Sequence, residues 1–535
     1  MFSYVFMKIL ESRPARYDRG INILTGGHAN KVKNEIIATL VKPDIRVLDV
    51  GCGTGQLLAQ AARLGAKVTG IDISEGMLTI ARKRFESGDL KGKGTFYQAG
   101  VTELDTLFAD DSFDLITATL VFSELHQGER HWALREFARI LKPSGVLVLA
   151  DEVRPKKRLE RFIHFLVRFP LALITYLLSQ ITTNAVPDIS REVLGAGFEV
   201  FSEKRSLLGS FAVVFARKHA RVDSTNVGVD TFLLPEDDIS VIKTICDFIG
   251  RWFPNPVEPG LRKIGDAGTH SPVFITGNFH LTVRRVEKAL FGTNSWLLVA
   301  PTQGINVWCA SSGGEMTEHS IISAMKTSSL EDRVVYRNLI LPQLCAPGVN
   351  RKVLEDLTGW KVDFGPVYAR DLSNFVQHNN EKSSEQCIVH YPLSFRLEML
   401  FCMNALVWLT IAIIASFVNM WWVALGTVLF WGAGLILYAG FPYLPGSSGW
   451  WKAALLSIFA VFGITLFTAY VHNLPWWTHW EWIFVAVVLT LWLGFDLKGI
   501  VGGNLSEAES LMHKLGVKSV DRIFSAHPAK IGSIR

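Results

Sequence analysis

The sequence predicts an α/β multidomain chain: two open sheets covered by helices, then a helical transmembrane domain of about four spans. Three observations carry this reading. Short apolar runs alternate with helical periodicity through residues 1–218 and again through 236–392. A polar stretch without periodicity, 219–235, separates the two and reads as a linker. Between 396 and 500 come four apolar runs, each near the length that a bilayer core requires. A hydrophobic share of 49% over 535 residues, with 16 Trp and 34 Phe, agrees with a membrane portion and its aromatic belts.

In the first region, 46–50 reads as a strand, followed by a glycine turn and a helix through Leu64. Residues 67–73 form a second strand, and 74–85 a helix capped by Ser74. Buried strands follow at 113–118 and 146–150, and 198–201 with 211–216 suggest a closing hairpin. A βαβ series of this kind implies a mostly parallel sheet with helices on both faces. The apolar stretch 161–181 is interrupted by Arg168 and Pro170, so it reads as an interfacial amphipathic helix or a substrate lid.

The four later runs are 399–418, 421–438, 453–471 and 482–494, with a turn at 442–446. Arg396, Lys452 and Lys498 flank them, whereas the loops around Asn419 and at 472–479 carry no Lys or Arg. The positive-inside rule then places both α/β domains and the 501–535 tail in the cytoplasm, beside a multi-pass cytoplasmic membrane. Met1 to Leu10 is apolar but lacks a cleavage site, so no signal peptide is read. A net charge of +5 without a basic stripe gives no reason to expect nucleic acid. Six scattered cysteines without a Cys-x-x-Cys pair point away from a disulfide framework, a zinc site or an iron–sulfur site.

Chemistry enters first at Asp49-Val50-Gly51-Cys52-Gly53-Thr54-Gly55, which ends a strand and opens a helix. Its glycines let a ligand approach the backbone closely, and Asp72, about twenty residues on, can take both hydroxyls of a ribose. The turn and acid alone would serve a dinucleotide equally well. The full pattern, with Leu141-Lys142-Pro143-Ser144-Gly145, resembles Rossmann-like class I S-adenosylmethionine methyltransferases, near those acting on quinones or sterols and those associated with corrinoid proteins. The resemblance implies that Asp49, Gly51, Gly53 and Gly55 line the methionine part, Asp72 the ribose and Met77 the adenine. An acid usual near Gly100 is missing from Gln98-Ala99-Gly100-Val101. Glu124 and His126 follow the fourth strand, where substrate would lie, and read equally as a surface or core pair.

In the second region, Gly304-Ile305-Asn306-Val307-Trp308-Cys309-Ala310 places one cysteine at a strand-to-helix junction, followed by Ser311, Ser312, Gly313 and Gly314. Periodicity alone would make it a small buried hydrophobe. Together with 271–279, 339–349 and 365–371, the segment resembles the corrinoid protein of microbial mercury methylation, a relative of the corrinoid iron–sulfur subunit of the acetyl-CoA pathway. The resemblance implies a cobalamin-type corrinoid whose cobalt takes Cys309 as lower axial ligand, flanked by Asn306, Val307, Trp308 and Ala310. Thr276, Asn278, Asn306 and Gln343 are candidates for polar contacts to the corrin amides, or else turn and cap residues. This chain lacks the lysine that usually follows the motif in that family, and none of its 14 histidines stands in Asp-x-His-x-x-Gly. A thiolate is a soft, electron-rich ligand. The resemblance implies that such a ligand beneath cobalt favours release of methyl to a soft acceptor such as Hg(II), which the residues alone permit. Cys345 reads as packing, or as a second thiol for a thiophilic metal.

The expected function is a fused methyl relay. The first domain takes methyl from S-adenosylmethionine, and the second carries it on cobalt to a small-molecule or metal-ion acceptor at the membrane. Cobalt reduction would need a separate electron donor, a ferredoxin-like protein, since no cluster-binding cysteine run is present. The rivals are a quinone or lipid methyltransferase and a corrinoid carrier or sensor without turnover.

Overall fold

The computed structural model describes residues 27–86, 88–160, 162, 185–218, 255–383, 385–387, 393–417 and 420–440, with short helical stretches between 454 and 493. The stretch 161–181 apart from Phe162, the 219–235 linker, the 442–446 turn, the loops around Asn419 and at 472–479, and the 501–535 tail lie outside them. Contacts divide the chain into two compact units: both sheets belong to the first, and a pair of apolar helices to the second.

The first sheet begins with α1 (His28–Leu40), β1 (Arg46–Val50), α2 (Gln56–Arg63), β2 (Lys67–Asp72), α3 (Glu75–Phe85), β3 (Gly94–Gln98) and α4 (Leu104–Leu107). It continues with β4 (Phe113–Thr119), α5 (Gln127–Ile140), β5 (Leu141–Glu152), α6 (Ile189–Gly195), β6 (Phe198–Ser206) and β7 (Phe211–Lys218). The strand order is β3-β2-β1-β4-β5-β7-β6, parallel from β1 to β5, with β7 antiparallel to both neighbours. Both faces are buried, which explains the near-continuous apolar strands. In β1, Leu48 and Val50 join one core while Val47 joins the other; in β5, Leu147 and Leu149 oppose Val148 and Ala150. Phe122 and Phe137 fill one side, Ile36 and Leu58 the other.

The second sheet comprises β8 (Gly260–Ile264), β9 (Val273–Gly277), α7 (His280–Leu290), β10 (Ser295–Ala300), α8 (Val307–Gly313), α9 (Glu318–Thr327), β11 (Asn338–Leu341), α10 (Arg351–Thr358), β12 (Lys361–Phe364) and α11 (Leu372–Gln377). Its order is β12-β11-β9-β10-β8, with only the edge strand β8 antiparallel. Alternation again builds two cores: Trp296, Leu298 and Ala300 face one, Leu297 and Val299 the other. The chain runs from β9 to β10 on one side, then crosses to β11 on the other. That reversal opens a crevice at the carboxyl ends of β9 and β11, where open α/β sheets bind ligands.

The second unit holds α12 (Leu393–Ser416) and α13 (Met420–Gly440), which pack around Leu400, Phe430, Leu437, Tyr438 and Leu493. Among the described residues, no helix is long and apolar enough to cross a membrane. This overturns the expected transmembrane domain of about four spans and, with it, the multi-pass placement in the cytoplasmic membrane. The signal was apolar composition, and α12 and α13 do leave large apolar side chains such as Ile413, Phe417 and Val428 exposed beyond the face on which they pack. Here the apolar faces pack on each other and enclose polar groups. Arg396 Nη1 donates to the carbonyls of Tyr438 (3.0 Å) and Ala439 (2.6 Å), and the buried Asn404 Nδ2 donates to Leu400 O at 3.1 Å.

Candidate functional site

The turn from β1 to α2 is built by backbone conformations that glycine favours. Gly51, Gly53 and Gly55 have φ of 66°, 53° and 70°. A Cβ on Gly51 would stand 2.4 Å from the Val121 side chain. Asp72, at the end of β2, accepts from Gly53 N at 2.8 Å and from Ser74 N at 2.9 Å, so one carboxylate joins the glycine turn to the start of α3. Met77 is buried in the first turn of α3. Asp49 is buried and accepts from Thr117 Oγ1 at 2.6 Å. Burial pushes its carboxyl up to about 6, against the hydrogen bond from Thr117 and the charge of Lys33. The structure thus brings Asp49, Gly51, Gly53, Gly55, Asp72 and Met77 to one edge of the sheet. Gly100 N donates to Glu103 Oε2 at 2.7 Å, so an acid does stand near Gly100, three residues further along the chain than the sequence comparison sought it.

Beside that turn, the segment after β4 is held by buried Asp151, whose Oδ2 accepts from Phe122 N at 2.6 Å. Glu124 is exposed. Desolvation by the protein around it, followed by the charges of Asp151, Asp72 and Glu315, pushes its carboxyl up to about 8. Glu315 belongs to the second sheet's domain. Burial holds His126 below the ordinary histidine range, and its Nε2 is enclosed with no hydrogen-bond partner among the described residues.

The carboxyl edge of the second sheet is organised by Asn278. Its Oδ1 accepts from Thr302 N (2.9 Å), Gly304 N (2.9 Å) and Thr302 Oγ1 (3.0 Å), while its Nδ2 donates to Val257 O at 3.1 Å. A buried amide therefore fixes the loop that leads into the cysteine motif. Asn306 caps α8, its Oδ1 accepting from Cys309 N at 2.9 Å. Val307 and Ala310 are buried, Trp308 is half-buried, and Cys309 is exposed and not disulfide-bonded. Thr276, near the end of β9, is buried with its Oγ1 unpartnered among the described residues. Gln343 is buried in the turn after β11. Thr276, Asn278, Asn306 and Gln343 all occupy this edge, but the oxygens of Asn278 and Asn306 already serve the loop. Cys345 is wholly buried, its carbonyl accepting from Ser311 Oγ at 2.7 Å, and burial pushes its thiol well up.

The two edges meet. Gln303 Nε2, in the loop before Cys309, donates to the Glu124 carbonyl at 3.2 Å. Along α9, His319 Nδ1 pairs with Glu103 Oε2 (2.6 Å), Ser323 Oγ donates to Glu129 Oε1 (2.5 Å), and Lys326 Nζ donates to Asp105 Oδ1 (2.5 Å). Sequence reasoning missed these contacts. Their partners lie 179 to 221 residues apart, and no local pattern marks them.

With this geometry in hand, the comparisons with known proteins fall on the two sheets separately. Residues 47–145 match the methyltransferase domain family. The first sheet is a methyltransferase domain. Residues 248–376 match the CO dehydrogenase/acetyl-CoA synthase delta subunit family. The acetyl-CoA decarbonylase/synthase complex subunit gamma of Archaeoglobus fulgidus is 39% identical over 128 residues, 24% of this chain and 27% of that subunit. The corrinoid/iron-sulfur protein large subunit of Moorella thermoacetica is 37% identical over 128 residues, 24% of this chain and 28% of that protein. The demethylmenaquinone methyltransferase of Symbiobacterium thermophilum is 35% identical over 162 residues, 30% of this chain and 61% of that enzyme. The chain thus spans only about a quarter of the length of the corrinoid-related proteins it matches. It carries an S-adenosylmethionine-dependent methyltransferase domain joined to a domain related to corrinoid iron–sulfur proteins.

Proposed function

We propose that the chain is a methyl relay, in which the methyltransferase domain delivers methyl from S-adenosylmethionine to a corrinoid held over Cys309. The observation that carries this reading is the contact of Gln303 with Glu124, which sets the Cys309 loop against the segment following β4. That segment borders the glycine turn and Asp72, so donor and acceptor face each other without diffusion of an intermediate.

The residues present fit a corrinoid. A soft thiol is exposed in the first turn of α8, which Asn306 caps and whose leading loop Asn278 fixes, and the Thr276 hydroxyl, unpartnered among the described residues, lies at the same edge. When bound, the cobalt supplies a strongly nucleophilic centre that takes methyl and yields it again. Cys309 would hold the metal, and the half-buried Trp308 would lie beside the bound group, while Val307 anchors α8 in the core. The glycine turn and Asp72 hold the donor, and alignment is their main contribution. Transfer of a sulfonium methyl to such a centre needs no residue to remove a proton. The final acceptor we propose is a soft metal ion, of which Hg(II) is the case the resemblance implies.

The test is label transfer. Protein reconstituted with cobalamin and reduced by a ferredoxin-like donor is given methyl-labelled S-adenosylmethionine. Label in the corrinoid fraction, absent in Cys309→Ala and Gly51→Val, supports the relay. Label that stays on S-adenosylmethionine refutes it. The likeness to a demethylmenaquinone methyltransferase favours a second reading, a quinone methyltransferase, which label in added quinone would establish.

A further inference from the structure

Two leucines of the methyltransferase domain stand where neither the backbone nor water favours them. β6 turns into β7 through Leu207-Leu208-Gly209-Ser210, and the first three have φ of 51°, 55° and 76°. Ser210 N donates to Leu207 O at 3.1 Å, so the tip is one closed turn. Gly, Asn and Asp suit such a tip, whereas a leucine there is strained. Burial does not offset the strain, because Leu207 and Leu208 are 41% and 57% exposed.

The segment after β5 lies against this tip. Arg205 Nη1 donates to the carbonyls of Arg154 and Gly209, both at 3.3 Å, and a Cβ on Gly209 would stand 3.0 Å from Glu160 Oε2. In that segment Leu159 and Phe162 are 69% and 60% exposed and stand three residues apart in helical conformation, hence on one face. Arg154, Lys156, Lys157 and Arg158 are exposed beside them. Glu203 pairs with Lys156 (3.4 Å) and Glu160 with Lys157 (3.3 Å), and the two arginines leave the rim positive.

We propose that this tip docks on an anionic lipid surface: Leu159, Phe162, Leu207 and Leu208 enter the acyl boundary while the cations of 154–158 meet the phosphates. Apolar side chains on a hairpin tip, rather than in a groove, suit a fluid phase that needs no shaped pocket. Basic side chains rimming an apolar patch lay their stems along it and keep their charges at the headgroups. The contact is peripheral and requires no spanning helix. Val153 N donates to Ser210 O at 2.8 Å, so the tip stands at the carboxyl end of β5. The neighbouring parallel strands β1, β4 and β5 end at that edge, which also carries the glycine turn. Docking therefore sets the donor edge towards acceptors dissolved in lipid. The inference goes beyond the relay and stands without it.

Hydrogen–deuterium exchange on the full chain, with and without vesicles, reads the tip itself, whatever else of the chain meets lipid. Vesicles of phosphatidylcholine mixed with phosphatidylglycerol should slow exchange in residues 154–160 and 205–212 roughly threefold or more, and high salt should reverse the effect. Phosphatidylcholine alone should slow it far less. Leu207→Asn with Leu208→Asn suits the positive φ, so the fold and S-adenosylmethionine binding should be kept while vesicle protection is lost. Lys156→Ser with Lys157→Ser should weaken protection by anionic vesicles alone. The dock is overturned by a tip that anionic vesicles leave unprotected, by equal protection from both lipids, or by protection that survives the asparagine pair. Protection by polyglutamate but not by vesicles would assign the surface to an acidic protein and overturn the lipid assignment.

Discussion

The two sheets solve opposite problems at the same topological place. On the methyltransferase edge, side chains are spent on holding backbone: Asp72 ties Gly53 and Ser74, Asp49 takes Thr117, and what the turn offers a ligand is its glycine backbone. On the second edge, Asn278 and Asn306 likewise serve the loop, but they do so to present one side chain, the exposed Cys309. A ligand that is mostly charge and hydrogen-bonding groups is met by backbone. A metal needs a donor atom, and the scaffold is arranged around it. The contrast explains why substitutions should act differently on the two edges.

The largest effect is expected from Asn278→Ala. It strands the N–H groups of Thr302 and Gly304 and the Val257 carbonyl, all at a buried loop, at a cost of about 3 kcal/mol. Denaturant unfolding should report that loss, while S-adenosylmethionine binding persists wherever the chain remains folded. Equal loss of S-adenosylmethionine binding under those conditions would show that the two edges are not independent. Gly51→Ala should act in reverse. A positive φ and the approach to Val121 cost about 1–3 kcal/mol, and calorimetry should show donor binding abolished with corrinoid binding retained.

A smaller, pH-dependent effect is expected where the domains meet. Burial works to lower the His319 pKa, but the hydrogen bond and charge of Glu103, with Glu318, prevail and hold it above the ordinary histidine range. Lys326, Asp105 and Glu129 bond along the same helix face, and α5 also carries Arg130, His131, Arg135, Glu136 and Arg139. A raised histidine contributes fully below its unfolded value and loses its contribution as pH rises through the folded value. Protection of residues 101–107 should therefore fall as pH is raised through that window. In His319→Gln the pH step should vanish, and a step that persists would assign it to another group.

Much of the first domain was legible in the sequence because its signals are local. The glycine turn and the Ser74 cap lie within a few residues of what they organise, Asp72 closes a strand at a customary spacing from that turn, and the short apolar runs marked most of the strands. The cysteine motif was legible as a segment, but the function of Asn278 was not. Its partners are contributed by a loop after the next strand, 24 to 26 residues away. The acid near Gly100 was sought at its customary spacing and lies three residues later as Glu103, where it also receives His319. The apolar runs after residue 396 misled because apolar composition alone does not establish a spanning helix. Arg396 and Asn404, buried within the α12–α13 pair, were the residues that pointed the other way.

The most direct test of the account is the optical spectrum of the full chain reconstituted with cobalamin, wild type beside Cys309→Ala. The account predicts a thiolate-ligated cobalt spectrum in the wild type and its loss in the variant, with unfolding and S-adenosylmethionine binding unchanged because Cys309 is exposed. Identical spectra, or no bound corrinoid in the wild type, would contradict it.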